Sequence, residues 1–156
     1  MLQVQKAFDT AGKIRMFQIR ESFDAEGLND LFLQNDLELS DSSHADTVRC
    51  WEIMDGNSRI AGLRLERRKG ELVLAGIAVN KVYRNHSLGK ILLEHAVSEA
   101  RKQGAERLIL VARAPRFFEK AGFLYAEMAE FSGIINCGKC AQFYKGCFPS
   151  AMCLYL

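Results

Sequence analysis

From Val79 to Lys90 the chain reads Val79-Asn80-Lys81-Val82-Tyr83-Arg84-Asn85-His86-Ser87-Leu88-Gly89-Lys90, a segment whose residue types suit a phosphorylated ligand. An apolar run ends at Val79, a polar turn follows, and the next apolar residues recur at helical spacing. A helix beginning there offers unpaired backbone N–H groups and the positive end of its dipole, which together suit a pyrophosphate. Arg84 adds a fixed positive charge with several donors. Gly89 lets the backbone approach a bulky anion with no Cβ in the way. The plain alternative is an ordinary strand-to-helix connection capped by Ser87. Carboxylates that could act as a general base are Glu66, Glu71 and Glu52, although a solvated residue on a strand is the simpler reading of each. His44 and His86 carry imidazoles, side chains able to take up or give a proton.

The elements that must position these residues follow from periodicity. Phe17–Arg20 alternates like a first strand, and Ser22 or Asp24 caps a helix running to about Leu33, with Leu28, Leu31 and Phe32 as its buried stripe. The polar stretch from Asn35 to Thr47 reads as a surface loop. Arg49–Met54 is a strand with Trp51 and Ile53 on one face and Cys50 and Glu52 on the other. Asp55-Gly56-Asn57 turns the chain into a second strand, Arg59 to about Glu66. Arg68-Lys69-Gly70 then leads into Glu71–Val79, whose near-continuous apolar run suits a strand buried on both faces. Leu88, Ile91, Leu92, Ala96 and Ala100 mark one face of a helix over Ser87–Gln103, with Arg101 and Lys102 in its last turn and Gly104 as its stop. A short strand at Arg107–Val111, a short helix at Ala114–Ala121 and a return to strand at Phe123 complete the pattern. It is an antiparallel meander followed by an α/β arrangement with a crossover helix.

The stretch Ile77 to Leu93, Ile-Ala-Val-Asn-Lys-Val-Tyr-Arg-Asn-His-Ser-Leu-Gly-Lys-Ile-Leu-Leu, resembles the acetyl-CoA motif of the GNAT N-acetyltransferases, Arg/Gln-x-x-Gly-x-Gly/Ala after a strand ending apolar-Ala-Val. Arg84 matches the first position and Gly89 the last, while Ser87 stands where Gly is usual. Phe117-Phe118-Glu119-Lys120-Ala121-Gly122-Phe123 is similar to the family's Phe/Leu-Tyr-Glu-Lys-x-Gly-Phe segment. The resemblance covers about Leu72–Phe123 and implies a GNAT-like α/β (α+β) fold, a mixed, mostly antiparallel sheet flanked by helices. It implies acetyl-CoA as cosubstrate, with pantetheine along the backbone of Ile77, Ala78 and Val79. It places the pyrophosphate on Arg84, Asn85, His86, Ser87, Leu88, Gly89 and Lys90. The N–H of Ile77 then faces the thioester oxygen and stabilises the oxyanion when an amine attacks. Phe118 occupies the position of the tyrosine that often protonates the leaving thiolate, and has no proton to give. Tyr125 or water would have to substitute, or the thiolate leaves unaided. The asparagine that often precedes the short helix is absent from Val111-Ala112-Arg113-Ala114.

Cys137, Cys140, Cys147 and Cys153 are spaced C-x2-C-x6-C-x5-C. Cys137-Gly138-Lys139-Cys140 resembles half of a zinc knuckle. Zinc at Cys137, Cys140 and Cys147, a disulfide or redox pair, and independent thiols all remain open, and no metal is assigned. The tail is also loosely similar to bacterial N-acetylglutamate-synthase-like members of the superfamily, which turns the expected acceptor toward an amino acid such as glutamate. Arg64, Arg113 and Arg116 are then candidates to meet its carboxylate. The acidic residues Asp36, Glu38, Asp41 and Asp46 would instead suit a basic acceptor. A protein or peptide acceptor, and a non-catalytic acyl-CoA sensor, are the alternatives.

The chain of 156 residues, 49% hydrophobic and 26% charged, suits one domain over 1–156 with a Cys-rich segment at 137–153. Its net charge of +2 is too small and too evenly spread to argue for nucleic acid. No apolar run spans a membrane, and Met1–Lys13 lacks the zones of a signal peptide, so a cytoplasmic location is expected. A homodimer through the C-terminal strands is the expected assembly.

Overall fold

The structure is a computed structural model that describes residues 3–8, 14–37, 46–84, 86–135 and 149–156. Among these residues eight strands form one sheet: β1 (Gln3–Phe8), β2 (Ile14–Glu21), β3 (Asp46–Asp55), β4 (Ser58–Arg68), β5 (Glu71–Val79), β6 (Arg107–Ala112), β7 (Leu124–Tyr125) and β8 (Ser150–Tyr155). Their order across the sheet is β1-β2-β3-β4-β5-β6-β8-β7. All neighbours are antiparallel except β5 and β6, which are parallel and joined by the helix α2 (Leu88–Lys102). Two further helices are α1 (Ala25–Gln34) and the short α3 (Pro115–Glu119). The expected mixed, mostly antiparallel sheet with flanking helices is what the chain forms. β1 was not expected, because Gln3, Gln5 and Lys6 dilute its apolar alternation.

The sheet has two unlike faces. On one, Trp51, Ile53, Leu63, Leu65, Leu72, Leu74, Leu108 and Leu110 pack against Leu88, Leu92, Leu93, Ala96 and Ala100 of α2 in the main core. On the other, Leu28, Leu31 and Phe32 of α1 cover Cys50 and Ala78. A third cluster, Val73, Ile109, Phe131, Ala151 and Cys153, lies on this second face near its C-terminal end. Asp24 caps α1: its Oδ1 accepts the Gly27 N–H at 2.9 Å. Gly62 lets α1 lie close to β4, since a Cβ there would stand 2.5 Å from Leu28 Cδ2. Among the described residues no helix is long and apolar enough to cross a membrane.

Candidate active site

β5 and β6 pair only at Leu72–Leu108 and Val73–Ile109, then part. Opposite β4, the register runs Leu65–Leu74 and then Arg64–Gly76, so Ala75 is an extra residue that bulges β5. A bulge sharpens the local bend of its strand. It falls where β5 leaves β6. β6 meanwhile stays zipped to β8 as far as Ala112–Ser150. The result is a cleft of ≈ 1140 Å³. Its walls are Leu74–Val79 on one side and Leu110–Ala112 on the other. Its end is the start of α2, Ser87 to Lys90.

Backbone alternation fixes which groups enter this cleft. The Asn80 N–H donates to the Ile60 carbonyl of β4 at 2.8 Å, so Asn80 faces β4. The Val79 carbonyl points the other way and accepts from Arg84 Nε at 3.0 Å. Two residues back along the strand, Ile77 shares the orientation of Val79, which turns its N–H and C=O toward the cleft. Among the described residues those groups have no strand beside them there, because β6 has already departed. The free edge can therefore accept an extended ligand as an added strand.

At the closed end, Ser87 is the residue before α2 and adopts φ 60°, ψ 19°. Its side chain makes no capping hydrogen bond, so the expected serine cap is absent. The left-handed backbone accounts for the glycine preferred at this position in the motif. It leaves the first N–H groups of α2 without an intrahelical partner. A Cβ on Gly89 would lie 3.3 Å from Phe117 Cζ and 3.8 Å from Val79 Cγ2, so the absence of a side chain keeps this end of the cleft open. Arg84 Nη2 donates to Asn35 Oδ1 at 3.2 Å, and Asn35 Nδ2 in turn donates to Asn80 Oδ1 at 2.9 Å. Arg113 Nη1 donates to the Asp36 carbonyl. Lys90, Arg113 and Lys120 also line the cleft, giving it a cationic rim with Arg84.

The cleft thus gathers Ile77, Ala78, Val79, Arg84, Ser87, Leu88, Gly89, Lys90 and Phe118. Asn85 lies outside the described residues. His86 is not in the lining; its ring packs on Phe17 at 6.2 Å between centroids. Phe118 is buried between Phe117 and Phe123, at 5.0 and 5.6 Å, and presents carbon to the cleft. Tyr125 is on β7, beyond β8, with its hydroxyl 3.4 Å from Glu119 Oε2. Arg113, Lys120 and the Asn35–Leu37 turn were not among the expected cofactor contacts. Lys120 was visible inside the Phe117–Phe123 segment, but nothing in the sequence marked the turn after α1.

None of the three carboxylates expected as bases reaches the cleft. Glu71 stands at the zipped end of β5, held by Arg107 Nη2 at 2.7 Å. Glu66 is not a surface residue but 1% exposed, between Arg68 Nη2 at 2.7 Å and Arg64 Nε at 2.8 Å. Glu52 is buried between Arg20 and Arg59, at 2.6 and 3.2 Å. Burial alone would raise the Glu52 carboxyl; hydrogen bonds from Ser22, Arg20 and Arg59 outweigh it and hold the group below its ordinary value. A carboxylate so held is a poor proton acceptor.

His44, Cys137, Cys140 and Cys147 lie outside the described residues. Cys153 and Cys50 are buried free thiols, and burial pushes both upward. Among the described residues no three His, Cys, Asp or Glu side chains are placed to hold a metal ion.

Comparison with known proteins agrees with this fold. A relative named amino-acid acetyltransferase, from Pasteurella multocida, is 41% identical over 58 residues, 36% of this chain and 13% of the relative. N-acetylglutamate synthase from Neisseria gonorrhoeae, solved with coenzyme A and N-acetyl-glutamate, superimposes with a TM-score of 0.65 at 18% identity. The match covers 93% of this chain and 36% of the synthase. The chain therefore spans only a minor part of both of these relatives. Arabidopsis thaliana Naa50, solved with the bisubstrate analogue CoA-Ac-MVNAL, superimposes with a TM-score of 0.65 at 14% identity, over 90% of this chain and 99% of Naa50. The sequence profile of the acetyltransferase (GNAT) family matches residues 14–123, and the chain belongs to that family of acyltransferases.

Proposed function

We propose that this chain transfers the acetyl group of acetyl-CoA to the primary amine of a small molecule, an amino acid such as glutamate. The observation that carries the proposal is the parting of β5 from β6 immediately beside the start of α2. Pantetheine runs along Ile77–Val79 as an added strand, and the pyrophosphate rests on Ser87–Lys90 with Arg84. The Ile77 N–H meets the thioester oxygen as the amine attacks the carbonyl carbon, and stabilises the negative charge that develops there. With Glu52, Glu66 and Glu71 ion-paired, the attacking amine loses its proton to water. Phe118 leaves the thiolate to depart unaided. The amino-acid acceptor is supported by the resemblance of the chain to the Pasteurella acetyltransferase and the Neisseria synthase. The Naa50 likeness favours a peptide acceptor as the second reading.

The test is release of free CoA thiol against amino acids, polyamines and the peptide MVNAL, beside CoA binding by calorimetry. Release that requires one amino acid upholds the proposal. CoA binding without release on any amine replaces it with the sensor reading. Gly89→Trp fills the space above Phe117 and Val79. It should weaken CoA binding by more than ~100-fold, since the ligand loses its backbone contacts at the helix start. Undiminished affinity in a folded Gly89→Trp protein would take CoA out of this cleft.

A further inference from the structure

Among the described residues the α1 face of the sheet is covered in two separate places, and the strand residues between them are charged. One cover is Leu28, Leu31 and Phe32 over Cys50 and Ala78; the other is Phe131 with Ile134 and Ile135 over Val73 and Ile109. Arg64 sits opposite Cys50 on β3 and opposite Gly76 on β5. Glu66 sits opposite Val73, and Arg68 reaches the Ile134 carbonyl with Nη1 at 3.1 Å. Arg64, Glu66 and Arg68 therefore line the gap between the two covers, and the trio carries one net positive charge.

Within the trio the two arginines are held differently. Arg68 is aligned on Glu66, with Nε 2.8 Å from Oε2 in a proper hydrogen bond. Arg64 Nε lies 2.8 Å from Glu66 Oε1, yet neither atom makes a hydrogen bond there, although both are buried. Charge holds Arg64 without consuming its donors. Its only side-chain hydrogen bond among the described residues is a long one, Nη1 to Asn29 Oδ1 at 3.4 Å. Next to it, Gly76 adds no side chain to this face. The residue after Gly76 is Ile77, whose N–H turns toward the cleft. The backbone of Arg64 thus lies one strand from the neighbour of the group assigned to the reacting carbonyl, and its side chain keeps a buried Nε without a hydrogen bond.

Resting on the acetyltransferase reading of the cleft, we propose that Arg64 binds a carboxylate of the acceptor amine and that Glu66, braced by Arg68, positions it. A planar guanidinium matches a carboxylate in two parallel hydrogen bonds, and low surrounding dielectric strengthens them. Glu66 is then a positioning residue, not the base.

The experiment is steady-state kinetics with L-glutamate, L-norleucine and n-pentylamine, the last two differing by the carboxylate alone. Arg64→Met should raise KM for the acids by ~50-fold, the effect of losing a charge-assisted pair, and collapse the preference for norleucine over pentylamine. Arg64→Lys should restore only part of it, because the fork is lost. Glu66→Gln should raise KM ~5-fold, with the shape of the kcat–pH profile kept, whereas loss of a base would remove its acid limb. A folded Arg64→Met protein with unaltered preference overturns the assignment. Wild-type protein that acetylates pentylamine as well as norleucine overturns it while the acetyltransferase reading stands. Should no amine be acetylated, that reading falls. Calorimetry with N-acetyl-L-glutamate on CoA-loaded protein then decides Arg64: binding lost in Arg64→Met upholds it, and absent or unaltered binding ends it.

Discussion

On the α2 face of the sheet, β3 and β4 carry Trp51, Ile53, Leu63 and Leu65; on the α1 face the same strands carry Cys50, Glu52, Arg64 and Glu66. The first set merges with α2 into one continuous apolar core. The second is broken into two apolar clusters, with the Arg64, Glu66 and Arg68 pairs between them and the Glu52 pairs toward β2. Burying apolar area stabilises a fold directly, whereas burying paired charges returns little or nothing after desolvation. The α2 face therefore supplies cohesion. The α1 face gives up cohesion for polar groups held at fixed places, which the acceptor recognition proposed above would use.

The largest expected effect tests that contrast head on. Leu63 is fully buried under α2, and Leu63→Ala should cost about 3 kcal/mol. In a chain of this size that lowers Tm by roughly 6–12 °C. Replacing the trio across the sheet together, Arg64→Met with Glu66→Leu and Arg68→Met, should leave Tm within a few degrees of the parent or raise it. Thermal melts of the two proteins side by side check this. A triple variant that loses as much as Leu63→Ala would make the charged floor a structural element and erase the distinction between the faces.

Glu52 gives a smaller effect with a defined sign. Its folded carboxyl lies below its unfolded value, so its contribution to stability is complete above the unfolded pKa of ~4.3 and disappears as pH falls through the folded one. Glu52→Gln should cost about 2 kcal/mol at pH 7, the loss of charged hydrogen bonds from Arg20 and Arg59. The gap between the two proteins should be constant above pH 5 and shrink below pH 4. Urea titrations at pH 7, 5 and 3 measure it. A gap that persists unchanged at pH 3 would show that Glu52 acts by shape and not by charge.

The apolar face was the legible one. The period of Leu88, Leu92, Ala96 and Ala100 gave α2 to within a residue at each end, and the run Glu71–Val79 gave β5 as it stands. The opposed faces of Trp51 and Cys50 followed from alternation. The charged face was illegible in two ways: some partners are distant in sequence, as Arg20 with Glu52, Arg59 with Asp24 and Arg107 with Glu71, whereas Arg64, Glu66 and Arg68 stand two apart on one strand but carry no mark that their face is buried. A strand glutamate reads as solvated until the sheet brings an arginine to it. The cleft itself depends on the bulge at Ala75 and on where β6 leaves β5, and small residues such as Ala75, Gly76 and Ala78 carry no mark of either. The motif located the end of the cleft; the register located its mouth.

The α2 side gives up stability at one described place as well, and there the cause is backbone rather than charge. Ser87 holds φ 60° with no hydrogen bond from its side chain to offset the strain. A non-glycine residue in that conformation costs about 1–2 kcal/mol, and glycine recovers part of it while adding freedom to the unfolded chain. Ser87→Gly should therefore stabilise by roughly 0.5–1 kcal/mol, a rise in Tm of about 2 °C. Ser87→Ala keeps the same strain and loses no cap, so it should melt with the parent. If Ser87→Ala instead melts several degrees lower, the hydroxyl caps α2 after all, and the cost at the start of the helix is smaller than its backbone angle implies.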